Sequence, residues 1–334
     1  MRRVLHIGPC ESRGGMSSVI RSMVKNPPNG WEAEQLNSHG NGIIEKIVNW
    51  KGARDRLKGK NTALGTDIVH FHVTHSLSWW RKRNLLGICK KRDIPVVVHI
   101  HSGKFEKFCS GIAGISVRRS LRRKNCRVIV LEKRWLSLLS KWIPDDSVVV
   151  PNSTTKTADR RFHKHSKKIR LLMLSRNSKI KGHNIAIETL AKLQKNGYEA
   201  SLSITGLKTG LKNTDSFSGV EYLGWVTEEE KAELLAEVDF LISPSEYEGS
   251  SMSVIEAMVN GIPCIVSEAS RETLGIPGMV VESDDPGQWA EKIIRFHGRE
   301  EYLLSVSKTI EQSRRYSIEK RNNLLSEIYE KLAG

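Results

Sequence analysis

The sequence predicts an α/β protein of two domains, each built on a doubly wound parallel sheet. Short β-rich apolar runs alternate with helical patterns, and the alternation restarts after about residue 165. Such alternation is typical of parallel strands covered by helices on both faces. The length of 334 residues also exceeds one compact core. We therefore predict a first domain at 1–155, a second at 156–312, and a C-terminal helix within 313–334 that packs back on the first domain.

Apolar runs predict the strands, and 3.6-residue periodicity predicts the helices. First-domain strands are expected at Val4–Ile7, Asp67–Phe71, Val96–Ile100, Val128–Leu131 and Val148–Val150, with helices at Ser17–Val24 and Ile115–Lys124. The polar segment Pro151–Lys168 indicates a linker. Second-domain strands are expected at Ile169–Ser175, Ala200–Thr205, Phe240–Ile242, Cys264–Ser267 and Met279–Val281, with helices at Asn184–Asn196, Glu228–Glu237, Ser253–Asn260, Pro286–Phe296 and Ser317–Leu332.

Composition excludes several classes of protein. No apolar run approaches the ~18 residues of a spanning helix, and the apolar stretch near the N-terminus is too short for a signal peptide core. The five cysteines are widely spaced and form no Cys-x-x-Cys pair, which argues against a disulfide framework or a zinc site. We expect a cytoplasmic protein in a reducing compartment.

The net positive charge lies in the first half of the chain. Residues 1–150 contain 28 Lys and Arg against 11 Asp and Glu, whereas the remainder is nearly neutral. Six of the eight tryptophans also lie in residues 1–150. The first domain is therefore expected to meet an anionic partner.

Two loops that follow predicted first-domain strands contain candidate ligand contacts. Gly14 and Gly15 open a helix, where backbone N–H groups favour a phosphate, although Ser17 as an ordinary helix N-cap would explain the loop equally well. His101 ends a strand, where α/β sheets bind ligands, while a purely structural histidine is the alternative. His70, His72 and His99 could suggest a metal, but no carboxylate joins them at ligand spacing.

The second domain contains a basic loop and an acidic one. Arg176 and Lys181 follow a predicted strand and precede a helix, which suits a diphosphate, or else forms a solvated basic loop. Glu248 precedes a Gly- and Ser-rich turn into a helix that contains Glu256. The backbone amides of Ser251, Met252 and Ser253 are expected to point at an anion. An acidic first helical turn is the alternative explanation.

These motifs resemble those of retaining GT-B glycosyltransferases of family 4. Glu248-x₇-Glu256 followed by Ala-Met-x-x-Gly-x-Pro is similar to the family signature, and Arg176 with Lys181-Gly182 is similar to its diphosphate-binding pair. Further similarities are Gly14-Gly15, the Val149-Val150-Pro151-Asn152 strand exit, and Leu223-Gly224-Trp225-Val226 before a helix near the base. The chain departs from the family at Gly249-Ser250-Ser251, often Gly-Phe-Gly, and at Gly206 to Gly210, often Gly-x-Gly-Pro.

The resemblance implies two Rossmann-like domains that face a central cleft, and a hexosyl transfer that retains anomeric configuration. Arg176 and Lys181 would neutralise the leaving diphosphate, with Glu248 and His101 as further catalytic contacts to the transferred sugar. Gly15, Val226, Ser251, Met252, Ser253 and Glu256 would join them in binding a nucleotide-sugar, with a UDP-sugar favoured over a GDP-sugar. The chain contains no Asp-x-Asp, so neither a metal nor another cofactor is expected.

Basic and aromatic residues of the first domain predict the acceptor side. Trp79, Trp80, Arg81, Arg118, Arg119, Arg122 and Arg123 form such a mixture. Tryptophan and basic side chains together suit an anionic membrane surface. We therefore expect a lipid-linked saccharide acceptor in surface polysaccharide synthesis and a peripheral position on the inner face of the plasma membrane. A merely solubilising basic surface is the alternative.

Three other functions stay open at this point. A sugar-nucleotide epimerase of the same shape would act on the donor alone. A basic nucleic-acid-binding protein is allowed by the charge, but no helix-turn-helix, zinc spacing or RNP-type motif occurs, so no specific nucleic acid is expected. A Rossmann dehydrogenase would need a Gly-x-Gly-x-x-Gly fingerprint, which is absent.

Overall fold

The computed structural model describes residues 1–12, 14–40, 42–59, 65–157, 168–209 and 218–334. The chain forms two compact units. Unit 1 comprises Met1–Ser153 with Ser317–Gly334, and unit 2 comprises Thr154–Tyr316. The sequence predicted domain boundaries after residues 155 and 312. The observed boundary lies after Tyr316 and not after residue 312, because the buried hydroxyl of Tyr316 donates to the carbonyl oxygen of Thr273 in unit 2 at 2.5 Å.

The described part of unit 1 contains a six-stranded parallel sheet. Its strands are β1 (Arg2–Gly8), β2 (Trp31–Asn37), β3 (Ile68–Val73), β4 (Val96–Ile100), β5 (Cys126–Val130) and β6 (Val148–Val149), in the order β2-β1-β3-β4-β5-β6. Its helices are α1 (Gly15–Lys25), α2 (Ile43–Lys58), α3 (Leu77–Lys91), α4 (Phe105–Cys109), α5 (Ala113–Leu121) and α6 (Lys133–Leu139).

Unit 2 repeats this plan. Its strands are β7 (Lys168–Met173), β8 (Glu199–Thr205), β9 (Val220–Gly224), β10 (Phe240–Ser243), β11 (Cys264–Ser267) and β12 (Val280–Val281), in the order β12-β11-β10-β7-β8-β9. Its helices are α7 (His183–Lys195), α8 (Glu228–Glu237), α9 (Met252–Val259), α10 (Arg271–Leu274), α11 (Pro286–His297) and α12 (Arg299–Ser313). The predicted fold class of two doubly wound parallel-sheet domains is confirmed.

Two strands were absent from the prediction, and both lie at a sheet edge. β2 and β9 each pair on one side only, within the described residues. Their sequences, WEAEQLN and VEYLG, mix polar and apolar side chains. Because most positions of these two strands are partly or fully exposed, they lack the continuous apolar run of the central strands. The core strands β3 and β4 are buried at every position.

The C-terminal helix α13 (Ile318–Ala333) packs within unit 1. Buried Arg321 donates from Nη1 to Ser22 Oγ and Ser153 Oγ, both at 3.0 Å. The hydroxyl of Tyr329, also fully buried, lies 2.6 Å from Nδ1 of His70 on β3. These contacts attach the last helix to the sheet of unit 1.

Candidate active site

The topology of unit 2 places two loops at the point where its strand order reverses. β7 lies between β8 and β10, so the chain leaves β7 in one direction and later returns on its other side. Ligands of open α/β sheets bind outside the carboxyl ends of strands at such a switch point. Arg176 and Lys181 follow β7, and Glu248 follows β10. Three of the predicted site residues therefore flank the same switch point.

Gly182 brings these two loops together. Its φ of 73° lies in the left-handed region, and a Cβ there would collide with the carbonyl oxygen of Pro244. Beside it, the amide of Glu246 donates to the carbonyl oxygen of Ile180 at 2.8 Å. Nζ of Lys181 consequently reaches Oε1 of Glu248 at 2.5 Å, with both side chains largely buried. Sequence reasoning named both residues but not this ion pair.

Arg176 takes a different position from Lys181. It is exposed in the loop after β7, while Ser175 before it is held by its amide, which donates to Thr205 Oγ1 at 3.0 Å. Ser175 Oγ also lies 2.8 Å from Nε2 of buried His183. Burial, and then the ammonium of Lys181, lower the pKa of His183. The anchored backbone leaves the Arg176 guanidinium in solvent, where it is accessible to a ligand.

The start of α9 meets the prediction in part. Met252 and Ser253 occupy the first turn, where amides have no intrahelical acceptor. The amide of Ser251 instead donates to Thr273 Oγ1 at 3.3 Å, so the expectation that it points at an anion is wrong. The neighbouring hydroxyl of Ser250 is buried and has no hydrogen-bond partner among the described residues.

Glu256 has a partner that the sequence did not reveal. Nζ of Lys231 on α8 lies 3.1 Å from Oε1 of Glu256 and 2.7 Å from Oε2 of Glu228. Burial raises the pKa of Glu256, against the opposing effect of Lys231. The Lys231–Glu256 pair therefore fixes a carboxylate that can accept hydrogen bonds from ligand hydroxyls. Val226, another predicted site residue, is partly exposed in the segment before α8.

The glycine loop of unit 1 opens a helix as expected. Gly14, with φ of 137°, precedes Gly15, the first residue of α1. Ser17 lies inside this helix, and its hydroxyl donates to the carbonyl oxygen of Pro9 and contacts Ser12 Oγ at 2.8 Å. The alternative that Ser17 caps the helix is therefore wrong. Its hydroxyl ties the loop to the end of β1 instead.

The histidines of unit 1 form a buried network at the carboxyl end of the sheet. Nδ1 of His6 lies 3.0 Å from Nε2 of His72, and Nδ1 of His72 lies 2.9 Å from Nε2 of His101. In parallel, Nε2 of His70 lies 3.3 Å from Nδ1 of His99. His101 is partly exposed, whereas the other four are fully buried. His101 is thus the member of the network nearest to solvent.

Burial keeps these imidazoles neutral. It lowers the pKa of His6 to about 3 and holds the pKa values of His70, His72 and His99 well below their usual range. Two groups could hold a metal ion, because one ring nitrogen from each member lies within 4.8 Å of the others. They are His6, His70 and His72, and His72, His99 and His101. Sequence spacing alone gave no such convergence.

One predicted acceptor residue is in the core. Trp79 is fully buried among the apolar residues of unit 1, so it cannot be a surface contact as predicted. Its neighbour Trp80 is 41% exposed, with Arg83 over its ring at 5.6 Å. Arg118, Arg119 and Arg122 are exposed, while Arg81 and Arg123 are partly buried. Helical periodicity explains the difference, because consecutive side chains on a helix point about 100° apart, so one ring can face the core and the next can face solvent.

Basic residues line a cavity of about 730 Å³ on unit 1, and its lining includes the predicted acceptor residues Trp80, Arg119 and Arg123. Its lining contains no Asp or Glu among the described residues. The basic and aromatic lining residues are Arg54, Lys58, Trp80, Arg83, Lys90, Lys91, Arg92, Arg119 and Arg123. We call this cavity the cationic pocket. Arg123 donates from Nη1 to the carbonyl oxygen of Leu86 at 3.2 Å, and its buried Nε and Nη2 have no oxygen acceptor among the described residues.

Three further predictions concern the cysteines, the segments between strands and membrane-spanning helices. All five cysteines are buried, and no disulfide joins any two of them. Gly210 and most of the predicted linker Pro151–Lys168 lie outside the described residues. Among the helices that the structure describes, none combines the length and apolar character needed to cross a membrane.

Comparison with known proteins connects unit 2 to a family. A family model described as "Glycosyl transferases group 1" matches residues 168–298, less than half of the chain. The amylovoran biosynthesis glycosyltransferase AmsK of Erwinia amylovora is 30% identical over 125 residues, which cover 34% of this chain and 30% of AmsK. The chain thus spans less than a third of the length of this curated relative. The matched residues 168–298 include Arg176, Lys181, Glu248 and Glu256.

Solved structures resemble the whole chain. A sucrose-phosphate synthase from Thermosynechococcus elongatus has a TM-score of 0.77 at 15% identity and covers 99% of both chains. HepE from Anabaena, solved in complex with UDP-glucose, has a TM-score of 0.74 at 14% identity and covers 99% of this chain and 100% of its own. At these identities the similarity establishes the fold, which is that of GT-B glycosyltransferases.

Proposed function

We propose that the protein is a retaining glycosyltransferase that moves a hexosyl group from a nucleotide-sugar to a saccharide acceptor. The observation that carries this proposal is the Lys181–Glu248 pair at the switch point of unit 2. It lies within the part of the chain that matches group 1 glycosyltransferases. A cation and a carboxylate side by side suit the two ends of a nucleotide-sugar, its diphosphate and its sugar hydroxyls.

The chemistry follows from the charges at this switch point. Lys181 and Arg176 bind the diphosphate and neutralise the charge that develops as the glycosidic bond breaks, a form of electrostatic transition-state stabilisation. Glu248 accepts hydrogen bonds from the transferred sugar, and Glu256, fixed by Lys231, accepts them from the ribose. The leaving phosphate takes the acceptor proton on the same face, which retains the anomeric configuration. These cations serve the diphosphate without a bridging metal.

A UDP-sugar is the favoured donor. Support comes from the HepE structure, which was solved in complex with UDP-glucose. Val226, beside exposed Trp225, is placed before α8 where a base contact is proposed. The amides of Met252 and Ser253 at the start of α9 complete the proposed donor site.

Unit 1 is proposed to bind the acceptor, with His101 contacting sugar hydroxyls and Gly15 donating to a phosphate. The cationic pocket supports an anionic membrane surface as the location of this unit. Exposed apolar residues on the same three helices, α2, α3 and α5, would enter the interface. They are Ile43, Ile44, Ile47, Val48, Leu77 and Ile115, with Ile112 directly before α5. The relative AmsK is named for amylovoran biosynthesis, and we propose a lipid-linked acceptor in surface polysaccharide synthesis for this chain.

Thermal unfolding with nucleotides tests the donor site. The purified chain is heated with UDP, GDP, ADP, CMP and NAD in turn, beside Lys181→Ala and the control Lys179→Ala, which removes an exposed lysine of the same loop. A ligand at about 100 times its Kd adds about 2.7 kcal/mol of stability. We expect one nucleoside diphosphate to raise the midpoint in the wild type and in Lys179→Ala only. Equal shifts in all three proteins would refute the proposed role of Lys181.

Vesicle sedimentation tests the membrane proposal separately. Vesicles with and without anionic lipid are compared for the wild type and for Arg119→Ala combined with Arg83→Ala, both at the cationic pocket. We expect more wild-type protein on anionic vesicles and a reduced amount for the variant, because each basic residue near the surface contributes about 1 kcal/mol. Equal binding to neutral and anionic vesicles would contradict the proposal.

A further inference from the structure

The core-facing stripe of helix α3 contains a lysine. The buried residues of this helix include Trp79, Lys82, Leu86 and Cys89, at intervals of three and four. Lys82 is only 3% exposed, and Nζ donates to Ser78 Oγ at 3.0 Å. No carboxylate of the described residues lies within ion-pair distance of Nζ. Buried cations normally have a charged partner. Among the described residues, the ammonium of Lys82 has no such counter-ion.

The position of Lys82 is that of a ligand site. In unit 1 the strand order reverses between β1 and β3. The loop after β1 holds Cys10, and α3 begins directly after β3, so both elements flank this switch point. Lys82 and Cys10 influence each other's ionisation, which places the ammonium close to the loop after β1. Ligands of α/β sheets bind in this place.

The charged groups around Lys82 are mostly positive, and the carboxylates of Glu45 and Glu11 act on its neighbours His39 and Cys10. Burial, then Arg81, lower the pKa of Lys82 to about 7. Nη2 of Arg81 lies 3.1 Å from Nδ1 of His39, and the pKa values of His39 and His101 are both lowered, first by burial and then by Arg81 or Lys82. Burial raises the pKa of the Cys10 thiol to about 11, so it too is neutral. The site therefore favours an anion.

We propose that Lys82 and Arg81 bind a phosphoryl group of the acceptor at the switch point of unit 1. The phosphoryl oxygens would supply the negative charge that no described carboxylate provides to Lys82, and Arg81 would bind a second oxygen. This inference rests on the proposed function only in naming the acceptor as the source of the phosphoryl group. The cationic pocket is a different surface, because Lys82 and Arg81 do not line it.

Sulfate is the first probe, because it is a tetrahedral oxyanion whose charge does not change between pH 6 and pH 8. Every protein carries Lys181→Ala, so that the donor site of unit 2 contributes nothing. Thermal midpoints are recorded against sulfate at fixed ionic strength for this background, for added Lys82→Met, and for the control Lys25→Met, an exposed lysine at the far end of α1. We expect at least tenfold weaker sulfate binding in Lys82→Met alone, and tighter binding of the background at pH 6 than at pH 8.

The source of the phosphoryl group is resolved by two further ligands. Glucose 6-phosphate represents a soluble sugar phosphate, and monomeric short-chain phosphatidic acid represents a lipid phosphate. A midpoint shift that depends on Lys82 with either ligand supports the site and identifies its source, and Lys82→Arg is expected to restore part of it. Equal sulfate shifts in Lys82→Met and Lys25→Met, or no shift with either phosphorylated ligand, would overturn the proposal. Failure of the donor site would leave these results unchanged.

Discussion

Acidification should unfold unit 1 well before ordinary acid denaturation. His6, His70, His72 and His99 are fully buried, and burial lowers the pKa of each in the folded chain. In the unfolded chain the same imidazoles titrate near their ordinary value of about 6.5. Below that pH the unfolded state binds more protons than the folded one, so the free energy of unfolding falls as the pH falls.

The size of this effect is comparable with the stability of a domain. One pH unit below the unfolded pKa is equivalent to about 1.4 kcal/mol for a group that stays neutral when folded. At pH 5 each buried histidine therefore costs about 2 kcal/mol, and the four together cost up to about 8 kcal/mol. A typical domain has only about 5–15 kcal/mol of stability. The loss sets in below pH 6.5 and is absent above it.

Urea unfolding at pH 7.5, 6 and 5 measures this loss. Tryptophan fluorescence reports mainly on unit 1, since six of the eight tryptophans lie in residues 1–150. His72→Gln should reduce the pH dependence, whereas His297→Gln in unit 2, where the histidine is partly exposed, should leave it unchanged. A free energy of unfolding that is equal at pH 7.5 and pH 5 would refute the reasoning.

Three further predictions concern single residues. Trp79→Ala should lower the free energy of unfolding by about 3–5 kcal/mol because the ring is fully buried, whereas Trp80→Ala should lower it by less than about 1 kcal/mol in the same urea assay. Gly182→Ala should weaken nucleoside diphosphate binding at least tenfold, roughly 1.4 kcal/mol, in a calorimetric titration, because a Cβ displaces the Lys181 loop. Glu256→Gln should weaken UDP binding more than 2′-deoxy-UDP binding, because the carboxylate accepts from the ribose.

Each of these has a contradicting outcome. Equal destabilisation by the two tryptophan variants would mean that both rings are equally buried. Unchanged diphosphate affinity in Gly182→Ala would show that the loop after β7 does not depend on its contact with Pro244. The same loss of affinity for both nucleotides in Glu256→Gln would show that Glu256 does not accept a hydrogen bond from the ribose 2′-hydroxyl.

The fold was predictable from the sequence because central parallel strands are continuously apolar. Runs such as Val96–Ile100 matched the observed β4 at both ends. The edge strands Trp31–Asn37 and Val220–Gly224 were not found, because most of their positions are partly or fully exposed, which leaves polar residues in them. The apolar runs of β7 and β10 also located the loops that hold Lys181 and Glu248. They gave no distance between these two side chains.

Contacts between distant parts of the chain could not be predicted from the sequence. The pairing of Glu256 with Lys231 joins two helices, and nothing in the local pattern of either indicates it. Lys82 was not among the residues that the sequence singled out. Its spacing from Trp79 and Leu86 was the available signal, since it places the lysine on the apolar stripe of a helix. Only the burial of that stripe shows that the charge is enclosed.

Product analysis with a sugar nucleotide tests the proposed transfer most directly. The chain is incubated at high concentration with the UDP-sugar that stabilises it, and with water as the acceptor, while proton NMR follows the anomeric signals. We predict release of UDP with free sugar that first appears in the donor's anomeric configuration, and loss of this release in Lys181→Ala but not in Lys179→Ala. Conversion of the donor to an epimer, or an intact donor with no UDP after prolonged incubation, would contradict the account.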